Sequence, residues 1–302
     1  MSTTPTGAGS TAPVASAPGS VADWTPSPQQ RERDRWRARR TVRSGLIAAL
    51  STIILLGTVT ALVVTSPGWP RVQETFFDWE KAVDSFPAVL RGLWLNIRVM
   101  LVCGVSIAVL AMTIALMRTL RGPVFFPLRL VGTIFVDVFR GLPLLLVIFL
   151  LGLGAPALRL EGLPSSALFW GAVALVLSYS AYVAEVFRAG IESVHPSQRM
   201  AARSLGLSYA QTLRKVVLPQ AVRRVMPALM NDLVSLQKDS GLIAVLGVID
   251  AIRAAQIETA KDFNFTPYVV AGVLFIALTV PMARLTDWYA RKKGFHGAGG
   301  LM

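Results

Sequence analysis

The chain is 302 residues long, 53% hydrophobic and only 16% charged, with a mean hydropathy of +0.55. Soluble domains carry charge on about a quarter of their residues. The deficit, together with several apolar runs of about 20 residues, excludes an ordinary soluble domain and indicates a polytopic membrane protein. The formal net charge is +13, which alone would invite a nucleic-acid reading, but the basic residues follow a membrane topology. Cys103 is the only cysteine, so no intrachain disulfide framework or cysteine-based metal site is possible. It reads as a small core residue.

The first segment, Met1 to about Gln30, is rich in Ser, Thr, Pro, Ala and Gly, and a run of arginines from Arg31 to Arg43 follows. Together 1–43 reads as a disordered, basic, cytoplasmic N-terminus that lacks the apolar content to pack. The apolar stretch 44–65 is too long for a signal peptide and no small-residue cleavage site follows it. It is read as a membrane-spanning helix with its arginines at anionic headgroups. Residues 66–89 form an extracytoplasmic loop in which Phe76, Phe77, Trp79, Val83 and Phe86 outline either an interfacial amphipathic helix or a packed loop helix. Further spans are expected near Leu90–Met117, Leu130–Leu153, Ser166–Val186, Val225–Val248 and Pro267–Leu285. Gly141 and Pro143 predict a kink in the third span. Six spans put both termini on one side. Arg118, Arg121, Arg129, Arg188, Arg203, Arg214, Arg224 and Lys293 then fall inside with the N-terminal arginines, as the positive-inside bias requires.

Between the fourth and fifth spans lies the one long polar, basic segment, from His195 to Pro219. Pro196 suits the first position of a helix, which runs on through Ser197–Leu205. Gly206 suits a left-handed stop and Ser208 the N-cap of a second helix. Pro219 is expected to end or bend that helix. Two short helices around a glycine turn fit either a DNA-binding helix-turn-helix or a cytoplasmic docking loop. The flanking membrane spans favour the docking loop.

The loop resembles the signature of bacterial ABC importer permeases: Met200-Ala201-Ala202, Gly206 and Val216-Val217-Leu218-Pro219. The polar amino acid branch is also resembled by Ala184-Glu185-Val186-Phe187-Arg188-Ala189-Gly190, Phe139-Arg140-Gly141-Leu142-Pro143 and Leu236-Gln237-Lys238-Asp239-Ser240-Gly241. The resemblance covers about Leu90 to Lys293. It implies an all-α membrane protein whose five-helix permease core, 90–293, carries one additional N-terminal helix and a short tail, 294–302. Met200 stands where the family usually has glutamate.

The resemblance further implies a multi-pass protein of the bacterial plasma membrane that binds two ATPase subunits and a second, identical or paralogous permease. An extracytoplasmic amino-acid-binding protein would deliver the solute. No P-loop motif occurs, so this chain is expected to bind no cofactor, the ATP and Mg being used by the partner ATPase. It is expected to have no catalytic residues and no metal site, and to bind no nucleic acid. Gln198, Ala201, Ala202, Arg203, Gly206, Leu218 and Pro219 are the coupling-loop candidates, with Arg199, Arg214 and Lys215 available for acidic partners. Polar residues inside spans face the bundle or water, which makes Asn96, Arg98, Ser178, Tyr182, Gln237, Lys238, Asp239 and Ser240 substrate-pathway candidates. Asp137 with Arg140, and Glu185 with Arg188, are spaced to pair along a helix. Arginine and lysine within spans incline the substrate toward glutamate, glutamine or aspartate. An ion-driven carrier, with Asp137, Glu185 and Asp239 as proton sites, and a membrane-tethered regulator remain the alternatives.

Overall fold

A computed structural model describes residues 27–120, 122–159 and 161–292. The expectations for 1–26, Arg121, Lys293 and the tail 294–302 fall outside the described residues. The chain divides after Trp69 into two compact units.

The first unit contains α1, Pro28–Val64, a helix of 37 residues. The reading of 28–43 as disordered is therefore corrected. Ser27 accepts the Gln30 N–H as N-cap and Pro28 occupies the first turn, while the arginines that follow are good helix formers. Low apolar content argues against packing into a core. It does not argue against a helix that propagates outward from an apolar span, since nucleation is the costly step. At 1.5 Å per residue α1 is about 55 Å long, well beyond a hydrocarbon core of about 30 Å.

The division falls one residue into α2 (Trp69–Phe76), whose remainder opens the second unit and is followed by α3 (Trp79–Thr119). The helix of the second span thus starts at Trp79, not at Leu90, and most of the expected loop 66–89 is helical. Asp78 caps α3 by accepting the Lys81 N–H, and Pro87 is carried inside the helix. This end is tied to the far end of the chain. Thr266 Oγ1 accepts the Asp78 N–H at 3.1 Å, Phe265 N–H bonds to Thr75 O at 2.7 Å, and the Phe76 and Phe265 rings stack at 5.3 Å. Lys81 meets Asp262 at 2.6 Å, and that hydrogen bond holds the Asp262 carboxyl below the usual carboxylate range.

The third span is α4 (Phe126–Gly141) followed by α5 (Leu144–Phe149), a π-turn at Leu150–Gly154 and the single turn α6 (Ala155–Ala157). The two halves bend by 104° around Leu142 and Pro143. This is a break rather than the expected kink: Pro143 both lacks a donor and forces Leu142 to an extended ψ of 136°. The remaining elements are α7 (Ala167–Glu192), α8 (Pro196–Ser204), α9 (Tyr209–Thr212), α10 (Leu218–Asp239), α11 (Ala251–Thr259) and α12 (Thr266–Lys292). Among the described residues four helices are long and apolar enough to cross a membrane, or six if each bent pair is one span.

Val99, Cys103, Ile107 and Ala111 recur every fourth residue along α3 and are buried against Ala174, Leu175 and Val183 of α7. Val136 of α4, Ile148 of α5 and Leu236 of α10 complete that core. Cys103, 1% exposed, is the core residue expected. A second cluster joins Val89 and Leu93 of α3 to Ala251 and Ala255 of α11 and Ala271 of α12.

Candidate functional site

The polar loop folds close to its reading. His195 is extended (ψ 138°), and its Nδ1 accepts the Ser197 N–H at 3.2 Å, opening α8 on Pro196. Gly206 has φ +81°, and Leu207 N–H returns to Ala202 O at 3.2 Å to close the turn. Ser208 and Gln211 form a reciprocal capping box at 3.3 and 2.9 Å, which starts α9. Pro219 does not end this second helix. A π-turn at Leu213–Val217 widens the ladder just before the proline, and α9 passes without interruption into α10. The second half of the loop is therefore the first part of the fifth span. Gly206→Ala would force a Cβ into the left-handed region, costing about 1 kcal/mol. We expect a melting temperature lowered by a few degrees, checked by thermal denaturation of the purified chain.

Gln198, Ala201, Arg203, Gly206 and Pro219 are exposed and Leu218 half-buried, whereas Ala202 is 5% exposed and packs inward. Ala202 thus belongs to the loop's own core, not to its contact surface. Arg199 is likewise withdrawn, since its guanidinium caps the end of α7 at Ile191 O. Sequence reasoning missed two residues that take their place: Leu205, 83% exposed, and Met200, 62% exposed. Gln198, Ala201 and Leu205 lie three and four apart and share one face. The signal was present as apolar side chains in an otherwise basic loop.

At the root of the loop Glu185 pairs with Arg188 as expected, and also with Arg118 of α3 at 2.6 Å; Arg188 reaches Glu192 at 2.6 Å. This chain of charges fixes α3 to α7. Asp137 and Arg140 do not pair. Arg140 instead lies over the Tyr182 ring at 5.6 Å, and Tyr182 donates to Arg140 O at 3.3 Å.

The pathway candidates separate. Asn96 is fully buried, donating to Asp250 Oδ2 at 3.0 Å and accepting the Ala251 N–H at 3.1 Å, so both ends of its amide are engaged in joining α3 to α11. In this structure it anchors the two helices to each other. Gln237, also fully buried, accepts from Thr279 at 2.6 Å, and its Nε2 lacks a partner; Ser240 is buried and donates to Gln237 O at 2.7 Å. Ser178 is buried with no partner for its Oγ. Asp239 accepts the Tyr179 hydroxyl at 2.6 Å, and Lys238 is exposed beside it. Arg98 lines a different groove with Arg91 and Glu258, between α3 and α11. A groove of about 350 Å³ between α3, α7 and α10 holds Tyr179 and Asp232 among methionines and leucines. Asp232 Oδ2 is buried there without a partner. Asp232 was missed because a single acid on a half-apolar helix gives no spacing signal.

Residues 122–294 match the family described as the binding-protein-dependent transport system inner membrane component. The arginine transport system permease protein ArtQ of Bacillus subtilis is 30% identical over 71% of this chain and 96% of its own length. A protein of the same organism named "Probable glutamine ABC transporter permease protein GlnM" is 34% identical over 66% of this chain and 90% of its own length. A crystal structure of an amino acid ABC transporter with histidines superposes with a TM-score of 0.64 at 31% identity, covering 71% of this chain and 98% of that one. The MetNI methionine ABC transporter shares the fold at a TM-score of 0.55 and 20% identity. These matches remove the ion-driven and DNA-binding alternatives. The exposed helix pair, the bundle that carries it and the match over more than half its length place this chain in the family of binding-protein-dependent transport system inner membrane components.

Proposed function

We propose that the chain is the membrane-spanning permease of an ATP-driven amino-acid importer, and that glutamine, glutamate or aspartate is its solute. The observation that carries the reading is the loop 195–219, which presents Gln198, Ala201 and Leu205 outward while its second helix runs without a break into α10. A push on that face moves α10 directly. Arg224 of α10 bonds to Ser193 O and to Ser193 Oγ at the end of α7, so the two helices turn together. Tyr179 on α7 and Asp239 on α10 are hydrogen-bonded to each other, so the same movement repositions them as a pair. The partners are two ATPase subunits, which use the ATP and Mg, a second permease, and an extracytoplasmic binding protein. The loop and both termini face the cytoplasm, consistent with the basic residues gathered there. Relatives named for arginine and for glutamine support the amino-acid class; the cationic Arg98 and Lys238, both exposed, favour a solute with a carboxylate to spare.

The test is reconstitution in liposomes with the ATPase and the binding protein. Uptake of radiolabelled glutamine that requires enclosed ATP, and that excess glutamate or aspartate suppresses more than arginine does, is the expected result. Suppression by arginine alone would overturn the substrate assignment, and uptake without nucleotide would overturn the importer.

A further inference from the structure

Behind the helix pair, on the side facing the spans, lies a recess of about 330 Å³, lined in part by Leu120, Leu213 and Val217, that the coupling role leaves unused. It is walled by the end of α3 (Arg118, Thr119), the end of α7 (Ile191, Glu192) and the loop itself (Arg199, Arg203, Tyr209, Thr212). Three guanidiniums therefore face one carboxylate, and that carboxylate is already engaged by Arg188 at 2.6 Å. Arg118 is held by Glu185, and Arg199 gives one terminal nitrogen to Ile191 O. What remains is a set of donors without acceptors. Arg199 Nε–H is buried and unpartnered, and Thr212, only 5% exposed, has a buried hydroxyl with no hydrogen-bond partner. Arg203 lines the same recess with no acceptor among the described residues. Buried donors left unpaired are costly and rare in folded proteins. Several of them converging beside free positive charge is the arrangement that binds a tetrahedral oxyanion.

We infer that this recess binds a phosphate group, which Arg199, Arg203 and Thr212 hold between the docking loop and the ends of α3 and α7. Two sources share that chemistry: the headgroup of an anionic phospholipid, reached where α3 and α7 end, and a soluble phosphate. Either one, once bound, stiffens the joint between loop and spans, because its oxygens bond to both.

The full chain in a neutral detergent and phosphate-free buffer is titrated with inorganic phosphate at constant ionic strength, and its melting temperature is followed. In parallel it is placed in nanodiscs of phosphatidylcholine with increasing phosphatidylglycerol. A saturable rise with inorganic phosphate identifies the soluble source, and a saturable rise confined to phosphatidylglycerol identifies the headgroup; ligand that binds only the folded chain must raise its stability. Arg203→Gln is expected to weaken the response about tenfold or more. Thr212→Val keeps the shape and removes only the unpaired hydroxyl. It should leave the melting temperature without phosphate unchanged or higher while reducing the response. Arg223→Gln, exposed on α10 and outside the recess, is expected to respond as the unaltered chain does. No saturable rise in either series, a full response in Arg203→Gln, or an equal loss in Arg223→Gln would overturn the inference.

Discussion

Replacing Gly92 with alanine is expected to destabilise the bundle by about 3 kcal/mol or more, an overpacking penalty at the upper end of the usual range. A Cβ at this position would stand 2.3 Å from the carbonyl carbon of Asp250 and 2.4 Å from both Asp250 O and Ala251 N. Those are backbone atoms, and they cannot rotate away as the tip of a side chain would. They are also fixed from other directions. Asp250 caps α11 by accepting the Arg253 N–H at 2.8 Å, and Asn96, one turn beyond Gly92 on the same face of α3, bonds to the Asp250 side chain and the Ala251 N–H. An added methyl must push α11 off α3 and strain both amide bonds. Gly272→Ala in α12 is the matched control, since nothing lies within 4 Å of its would-be Cβ and alanine is the better helix former. Thermal denaturation of the two variants in detergent checks this. Gly92→Ala melting with the unaltered chain would show that α3 and α11 do not meet as described.

The same corner shows where sequence reasoning stops. Asn96 and Gln237 read as pathway residues because polar side chains inside spans face something other than lipid. What they face is the rest of the bundle: Asn96 meets Asp250, 154 positions away, and Gln237 meets Thr279, 42 away. In a membrane protein both the core and the lipid-facing side are apolar, so periodicity does not tell one from the other and no local pattern finds such partners. Asp137 and Arg140 failed for a related reason. Their spacing permits a pair, but the face of Tyr182 lies closer to the guanidinium than any spacing rule can foresee. The fold of the helix-pair loop was legible almost to the residue, because Pro196, Gly206, Ser208 and Gln211 act on backbone within a few positions of themselves. Only the continuity past Pro219 was hidden, since a π-turn leaves no mark in composition. The starts of α1 and α3 were missed because a helix that has nucleated in an apolar span extends into polar sequence until something stops it; Ser27 and Asp78 are the caps where these two begin.

Leu205→Glu is expected to weaken association with the ATPase at least a hundredfold while leaving the permease folded. Leu205 is 83% exposed and stands immediately before the left-handed Gly206 that turns the helix pair. An apolar side chain so exposed on a basic loop contributes nothing to the fold, and its replacement changes stability by no more than about 0.5 kcal/mol. If it seats in a cleft of the ATPase, as the proposed coupling role requires, the same side chain would be a central apolar anchor, and anchors of this kind contribute about 2–4 kcal/mol to an interface. Glutamate forfeits that burial and adds the cost of stripping water from a carboxylate, which together exceed the 2.8 kcal/mol or so equivalent to two decades in affinity. The size of the loss separates docking from general electrostatics. Removing a positive charge at the rim, as in Lys215→Gln, is expected to change affinity only a few-fold and chiefly at low salt. The measurement is titration of the purified ATPase against the permease in nanodiscs, with ATP-dependent uptake as a second readout. If Leu205→Glu binds the ATPase and drives uptake as the unaltered chain does, the exposed face of α8 is not where the two subunits meet. If Lys215→Gln loses as much as Leu205→Glu, charge and not the apolar anchor holds them together.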